Sequence, residues 1–238
     1  MEHYTALSPY LKRRFGCKVY KLSLSAGCTC PNRDGTLGAR GCIFCSGSGK
    51  FAASGSASIP EQLEQAKYIL GKKAQGAKFI AYFQDFTNTY GAVSRLEPLF
   101  LAAMEPDDVV ALSIATRPDC LPEDILRMLS RLRARKPVFV ELGLQTIHDN
   151  TAQYIRRGYP LSVFDDAVQK LHALEIEVIA HQILGLPGET AEMMAETARH
   201  LGSVHVDGVK LHLLHILRGT DLAREYADGR IQMLELDA

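Results

Sequence analysis

The sequence predicts an α/β fold of βαβ units around a parallel sheet. Three observations carry this. Short β-branched or apolar runs recur along the chain, helical periodicity fills the intervals, and no repeat or linker divides the 238 residues. Such alternation marks parallel strands joined by crossover helices. The length suits one unit spanning 1–238, since single α/β barrels routinely reach about 250 residues.

Each element follows from its own residues. The strand candidates are CKVYKLSL, AKFIAYF, DVVALSI, PVFVELGL, IEVIAHQIL and DGVKLHLL. The helical patterns are Pro60–Ala74, Gly91–Met104, Pro122–Arg135, Asp149–Arg156 followed by Leu161–Leu174, and Glu189–Leu201. Pro60 and Pro122 suit a first helical turn, where a missing N–H costs nothing. Six strands fall short of the eight in a closed barrel, so a partial (β/α)6 TIM-like barrel competes with an open doubly wound sheet. The last residues, IQMLELDA, read as the start of another helix, and a further C-terminal portion is expected beyond this chain.

Composition narrows the class. Hydrophobic residues at 47% and charged residues at 23% are those of a globular chain. Lys and Arg total 27 against 27 Asp and Glu, which removes the global signature of a nucleic-acid binder. Lys12, Arg13, Arg14, Lys18 and Lys21 form a local basic cluster, readable as a solvated face or a nucleic-acid contact. No apolar run approaches the roughly 18 residues of a membrane span, and no signal-peptide pattern opens the chain. A cytoplasmic location is expected. There, six Cys argue for metal binding or catalysis rather than disulfides.

Four of those Cys fall between Cys28 and Cys45, in a Gly/Ser-rich stretch of about residues 27–55 with little apolar periodicity. Long loops inside compact domains are usually functional. Cys42-Ile43-Phe44-Cys45 is a C-x-x-C pair, preceded by Cys30. Thiolates so spaced hold iron–sulfur clusters. Four thiolates, Cys28 included, could instead close a tetrahedral zinc site, giving an α/β zinc protein without redox chemistry.

The strings TCPNRDGT and GCIFC resemble the radical S-adenosylmethionine (SAM) superfamily. They resemble most closely a bacterial family with this long cysteine spacing, related to the Elongator catalytic subunit. AYFQ (Ala81–Gln84), ATRPD (Ala115–Asp119), ELGLQT (Glu141–Thr146), RRGY (Arg156–Tyr159), GLPGET (Gly185–Thr190) and KLHLLH (Lys210–His215) extend the resemblance over nearly the whole chain. It implies a partial (β/α)6 barrel of the radical SAM type, a [4Fe-4S] cluster and SAM. In that chemistry three Cys leave one iron open, SAM chelates it, and one electron cleaves SAM to a 5′-deoxyadenosyl radical that abstracts a substrate hydrogen. A flavodoxin- or ferredoxin-like reductant is implied. The substrate is unidentified; the Elongator resemblance points to a tRNA nucleoside, with a small metabolite or peptide as rivals.

The resemblance also assigns residues. Cys30, Cys42 and Cys45 become the metal ligands, with Cys28 as packing or a nearby free thiol. Phe44 stands where the superfamily has an aromatic near the adenine. Gln145 and Arg157 have the separation seen in the coproporphyrinogen branch, where both contact SAM; Arg157 can pair with the SAM carboxylate bidentately. Arg156 reads as a surface charge. His181 falls where that branch has a ribose-binding polar residue. Gln84 falls at the segment that contacts the SAM amino group, here FQDFTNTY instead of a glycine pair. Gly185 opens a turn on which adenine could pack. Glu141, His212 and His215 are expected to point from strand ends toward the cavity. Cys120 reads as a loop thiol and Cys17 as packing.

Overall fold

The computed structural model describes residues 4–47 and 57–234. Its six strands are β1 (Val19–Leu24), β2 (Lys78–Phe83), β3 (Val109–Thr116), β4 (Val138–Gln145), β5 (Glu177–Leu184) and β6 (Gly208–Leu213). All neighbours are parallel and the order is β1-β2-β3-β4-β5-β6. Sequential order without reversal is that of a barrel wall, and β1 does not pair with β6, so the result is a laterally open half-barrel. The doubly wound alternative, which reverses strand order at a switch point, is excluded.

The helices are α1 (Leu7–Phe15), α2 (Ile59–Leu70), α3 (Val93–Met104), α4 (Glu123–Arg133), α5 (Asp149–Tyr154), α6 (Leu161–Ala173), α7 (Ala191–Ser203) and α8 (Asp221–Ala227). A capping box explains where α2 begins: the Ser58 hydroxyl accepts from the Glu61 amide while the Glu61 carboxylate accepts from the Ser58 amide. Pro122 sits at the N-cap of α4. Two helices have no counterpart among the predicted patterns. Helix α1 buries only Leu11 among its nine residues, and α8 buries only Leu222, so neither writes a strong apolar stripe. Conversely, Ile231–Leu234 are not helical, and the rest of IQMLELDA lies outside the described residues. Among the described residues no helix is long and apolar enough to cross a membrane.

The two sheet faces bury different things. Outward-facing Leu22, Leu24, Ala81, Phe83, Leu112, Ile114, Val140, Leu142, Val178 and Ala180 join Phe100, Leu129 and Phe164 of the helices in the main core. The inward face is layered. At the bottom, Ile80, Ala111 and Phe139 are buried beneath Leu11 of α1, with Val19 and Ile179 packed against them. Two residues further along, on the same face, stand Lys21, Tyr82, Ser113, Glu141 and His181. Above these the lining opens toward the strand C-terminal ends, where barrels collect functional groups.

Candidate functional site

The segment after β1 builds one side of the site by local hydrogen bonds. Amides of Arg33 and Leu37 donate to Cys30 O (2.7 Å) and Pro31 O (2.8 Å), and Gly41 N donates to Asn32 O at 2.7 Å. A tight turn joins the C-x-x-C pair, with Cys45 N on Cys42 O at 3.0 Å. Between those thiols, Ile43 is buried with Ile155, Ile183, Leu186, Leu214 and Leu222, which pins the turn over the barrel mouth. The buried Asn32 side chain donates to Arg156 O at 2.7 Å and reaches Cys42 Sγ at 3.5 Å. Arg33 donates to the Cys45 carbonyl. Residues 48–55 of the expected cysteine loop lie outside the described residues.

Cys30, Cys42 and Cys45 line one cavity of about 270 Å³ together with Phe44, Gln84, Gln145, Arg157 and His181. That volume is near the lower end of small-ligand pockets, about 300–1,000 Å³. Burial pushes the Cys42 thiol up to about 11, with the neighbouring Cys45 and Cys30 adding to the effect. Among the described residues no three His, Cys, Asp or Glu side chains are arranged so that they could hold a metal ion as they stand. The thiols are nonetheless free and partly exposed on one wall, the right donor chemistry for an iron–sulfur group. Cys28 is elsewhere. It is buried in the main core, its sulfur receives Arg95 Nη2 at 3.0 Å, and it does not line the cavity. The fourth ligand of a thiolate zinc site is therefore missing from this wall.

Strand β4 delivers Gln145 through an irregularity. Its register with β5 shifts between Gly143 and Gln145, and Gln145 adopts φ of 71°. That conformation is uncommon for a side-chain-bearing residue and marks stored strain. The Gln145 amide folds over Gly143, where an added Cβ would lie 2.8 Å from its nitrogen. Arg157 is only 2% exposed. Its Nε donates to Tyr159 O at 3.0 Å, and its Nη1 donates to Thr146 O at 2.5 Å. Its Nη2 is buried with no partner among the described residues, an orphan donor suited to an anion. The adjacent Arg156 turns away, pairing with Asp221 of α8 at 2.6 Å. Gly185 is not in the cavity wall; its φ is 80° and its α-carbon faces Leu234.

The middle layer joins residues that no local sequence pattern connects. Glu141 is 1% exposed and accepts from Ser113 Oγ at 2.5 Å, His181 Nε2 at 2.8 Å and the Lys21 ammonium. Lys210 Nζ lies 3.7 Å from it and donates to the Tyr82 hydroxyl at 3.1 Å. Burial alone would raise the Glu141 pKa, but the His181 hydrogen bond and the Lys21 and Lys210 charges outweigh it and hold the carboxyl ionised. Burial lowers His181, against the pull of Glu141. His212 lines the same wall, its ring 4.9 Å from that of His181, and burial takes it down to about 4. His215 is exposed beyond β6 and does not line the cavity.

The predicted basic cluster comes apart. Lys21 turns inward to Glu141, while Arg14 pairs with Glu177 at the opposite end of the barrel. Alternation along β1 was the available signal, since Lys21 opposes Leu22 and Leu24 in side. Cys120 lies in the short 3-10 turn between β3 and α4, buried near the Arg117–Asp119 pair. Cys17 is partly exposed.

The family model described as the radical SAM superfamily matches residues 32–201. A Bacillus subtilis protein, YtqA, is 43% identical over 99% of this chain and 74% of its own length. A tRNA uridine(34) acetyltransferase of Dehalococcoides mccartyi is 33% identical over 51% of this chain and 26% of its own length. Among solved structures, the archaeal Elp3 of Methanocaldococcus infernus superposes with a TM-score of 0.67 at 20% identity, over 91% of this chain and half of that one. At that identity the superposition establishes the half-barrel.

Proposed function

The chain belongs to the radical SAM superfamily and is an enzyme of it, and from that premise we propose that Cys30, Cys42 and Cys45 hold a [4Fe-4S] cluster beside a SAM site in the cavity. The observation that carries this is the convergence of three thiols, and not Cys28, on one wall with an unpartnered buried guanidinium nitrogen. When bound, the cluster supplies the electron that cleaves SAM to methionine and a 5′-deoxyadenosyl radical, which takes a hydrogen atom from the substrate.

The protein's own groups do the rest. Arg157 Nη2 is free to take the SAM carboxylate while its other nitrogens stay fixed on backbone carbonyls. Gln145, strained into the cavity, is placed for a ribose hydroxyl, and His181 lies on the same wall, anchored by Glu141. Phe44 offers an aromatic face for the adenine, and Gln84, held by Ser23 at 3.1 Å, a polar contact for the amino group. Gly185 would contribute only through its turn. A flavodoxin- or ferredoxin-like protein supplies electrons, in the cytoplasm, where thiols stay reduced.

For the substrate we favour a tRNA nucleoside, on the likeness of half this chain to tRNA uridine(34) acetyltransferases. Anaerobic reconstitution with iron and sulfide tests the cofactor. A broad visible cluster absorption, then release of 5′-deoxyadenosine from SAM on dithionite reduction, is expected. Bound zinc and no cleavage would overturn the reading. Loss of one modified nucleoside from cellular tRNA when the protein is removed would support the substrate class, and an unchanged nucleoside profile would remove it.

A further inference from the structure

The cavity wall carries more positive charge than it balances. Among the described residues, Arg33, Arg117, Arg157 and Lys210 line it against one carboxylate, Glu141. Arg117 is matched by Asp119, with contacts of 2.7 and 2.9 Å, and Arg33 donates to the Cys45 carbonyl at the cysteine end of the cavity. Arg157 has been assigned to SAM above. Lys210 is left, on the far side of the barrel at β6.

Glu141 does not saturate Lys210. Its Oε2 is already held by His181 at 2.8 Å, its Oε1 by Ser113 and Lys21, and Lys210 stands off at 3.7 Å. That spacing is an ion pair and not a hydrogen bond. Among the described residues the Tyr82 hydroxyl, at 3.1 Å, receives a proper hydrogen bond from the ammonium. An ammonium has three donors, so capacity remains. Two residues on, on the same strand face, His212 presents Nε2 buried with no partner among the described residues. A buried polar atom left unmatched in a cavity wall calls for a ligand group. With its proton on Nε2, the neutral His212 ring donates beside the Lys210 ammonium, and two such donors select an oxyanion: a cation would meet Lys210, and an apolar group would leave both unpaired.

We propose that Lys210 and His212 form an oxyanion subsite that takes a carboxylate or phosphate of the substrate, orienting its neutral remainder toward the cysteine side of the cavity. The subsite rests on the reading above for what then happens to the substrate, but its binding step needs no cluster.

The test is equilibrium dialysis of the full chain, with and without reconstituted iron and sulfide, against labelled inorganic phosphate, with acetate as competitor. Saturable one-site binding is expected, with acetate and phosphate competing for it and the stronger competitor separating a carboxylate from a phosphate source. Lys210→Met and His212→Phe should each weaken it about tenfold or more. Lys210→Arg, which keeps the charge, should stay within about threefold. Lys170→Met, on an exposed face of α6, should change nothing. Non-saturable binding, a Lys210→Met protein that binds as well as the parent, or competitive displacement of phosphate by SAM would each overturn the proposal, the last by making this the SAM carboxylate site. Failure to assemble a cluster would remove the radical SAM mechanism and leave the phosphate result standing.

Discussion

Ile80, Ala111 and Phe139 fill the lower barrel under Leu11, while one step along the same strands Tyr82, Ser113 and Glu141 meet Lys21, His181 and Lys210 around a single carboxylate. Backbone, strand order and register are common to both layers; only the side chains differ. The lower layer resembles any core, where close-packed apolar groups contribute stability. The upper layer gathers charges that cost desolvation and gain it back only through their partners. A fold seeking stability alone would continue the lower layer upward. The difference marks where this molecule exchanges stability for a polar cavity.

Single substitutions should separate the layers first. Phe139→Ala removes a ring 5% exposed and should cost about 3–5 kcal/mol in urea unfolding. Glu141→Leu strands Lys21 and Lys210 beside an apolar surface and should cost about 3 kcal/mol. The triple replacement Lys21→Met, Glu141→Leu, Lys210→Met should recover most of that loss, because a matched apolar layer needs no ion pairs. A triple variant as unstable as Glu141→Leu alone would mean that the charged layer stabilises the fold after all.

The next contrast is between neighbours. Arg157→Ala should weaken SAM binding, read by calorimetry, by about 1.5–3 kcal/mol, the range for a charged hydrogen bond. Arg156→Ala should leave it nearly unchanged, since that guanidinium pairs with Asp221 outside the cavity. Equal small losses would sink the assignment of Arg157.

The smallest effect concerns pH. His212 is held down to about 4, against about 6.5 in an unfolded chain. The folded state therefore binds fewer protons at this site than the unfolded one. The stability involved is fully present above about pH 6.5 and is lost as pH falls through about 4. His212→Phe should remove about 1–2 kcal/mol of that loss, a figure reduced for the water that reaches a partly exposed ring. Identical pH slopes for parent and variant would show that His212 is not desolvated as described.

Much of this was legible from single residues. Runs such as AKFIAYF and PVFVELGL announced the strands because one buried face and a helix-covered sheet make them apolar, and the glycine-rich cysteine stretch announced the cavity mouth. Helices α1 and α8 were hidden because each buries a single residue. The charged layer was hidden because its members are scattered: Lys21 and Glu141 are 120 residues apart in sequence. Lys21 therefore reads as part of a basic surface cluster, and Glu141 as a cavity-facing acid with no partner named. No local pattern encodes a meeting that only strand order creates. Asn32, in the CPNRDG string, bonds Arg156 O and reaches Cys42 through the same kind of distant contact.

The central claim is that three thiols, and not four, make the metal site at the barrel mouth. It is tested most directly by Cys28→Ala, Cys30→Ala, Cys42→Ala and Cys45→Ala proteins, each reconstituted without oxygen and assayed for iron, acid-labile sulfide and SAM cleavage. The account predicts that Cys30, Cys42 and Cys45 variants lose the cluster and all cleavage, while Cys28→Ala, altered only in the core beside Arg95, keeps both. A Cys28→Ala protein that loses metal as completely as the other three would contradict it and move a four-thiolate zinc site ahead.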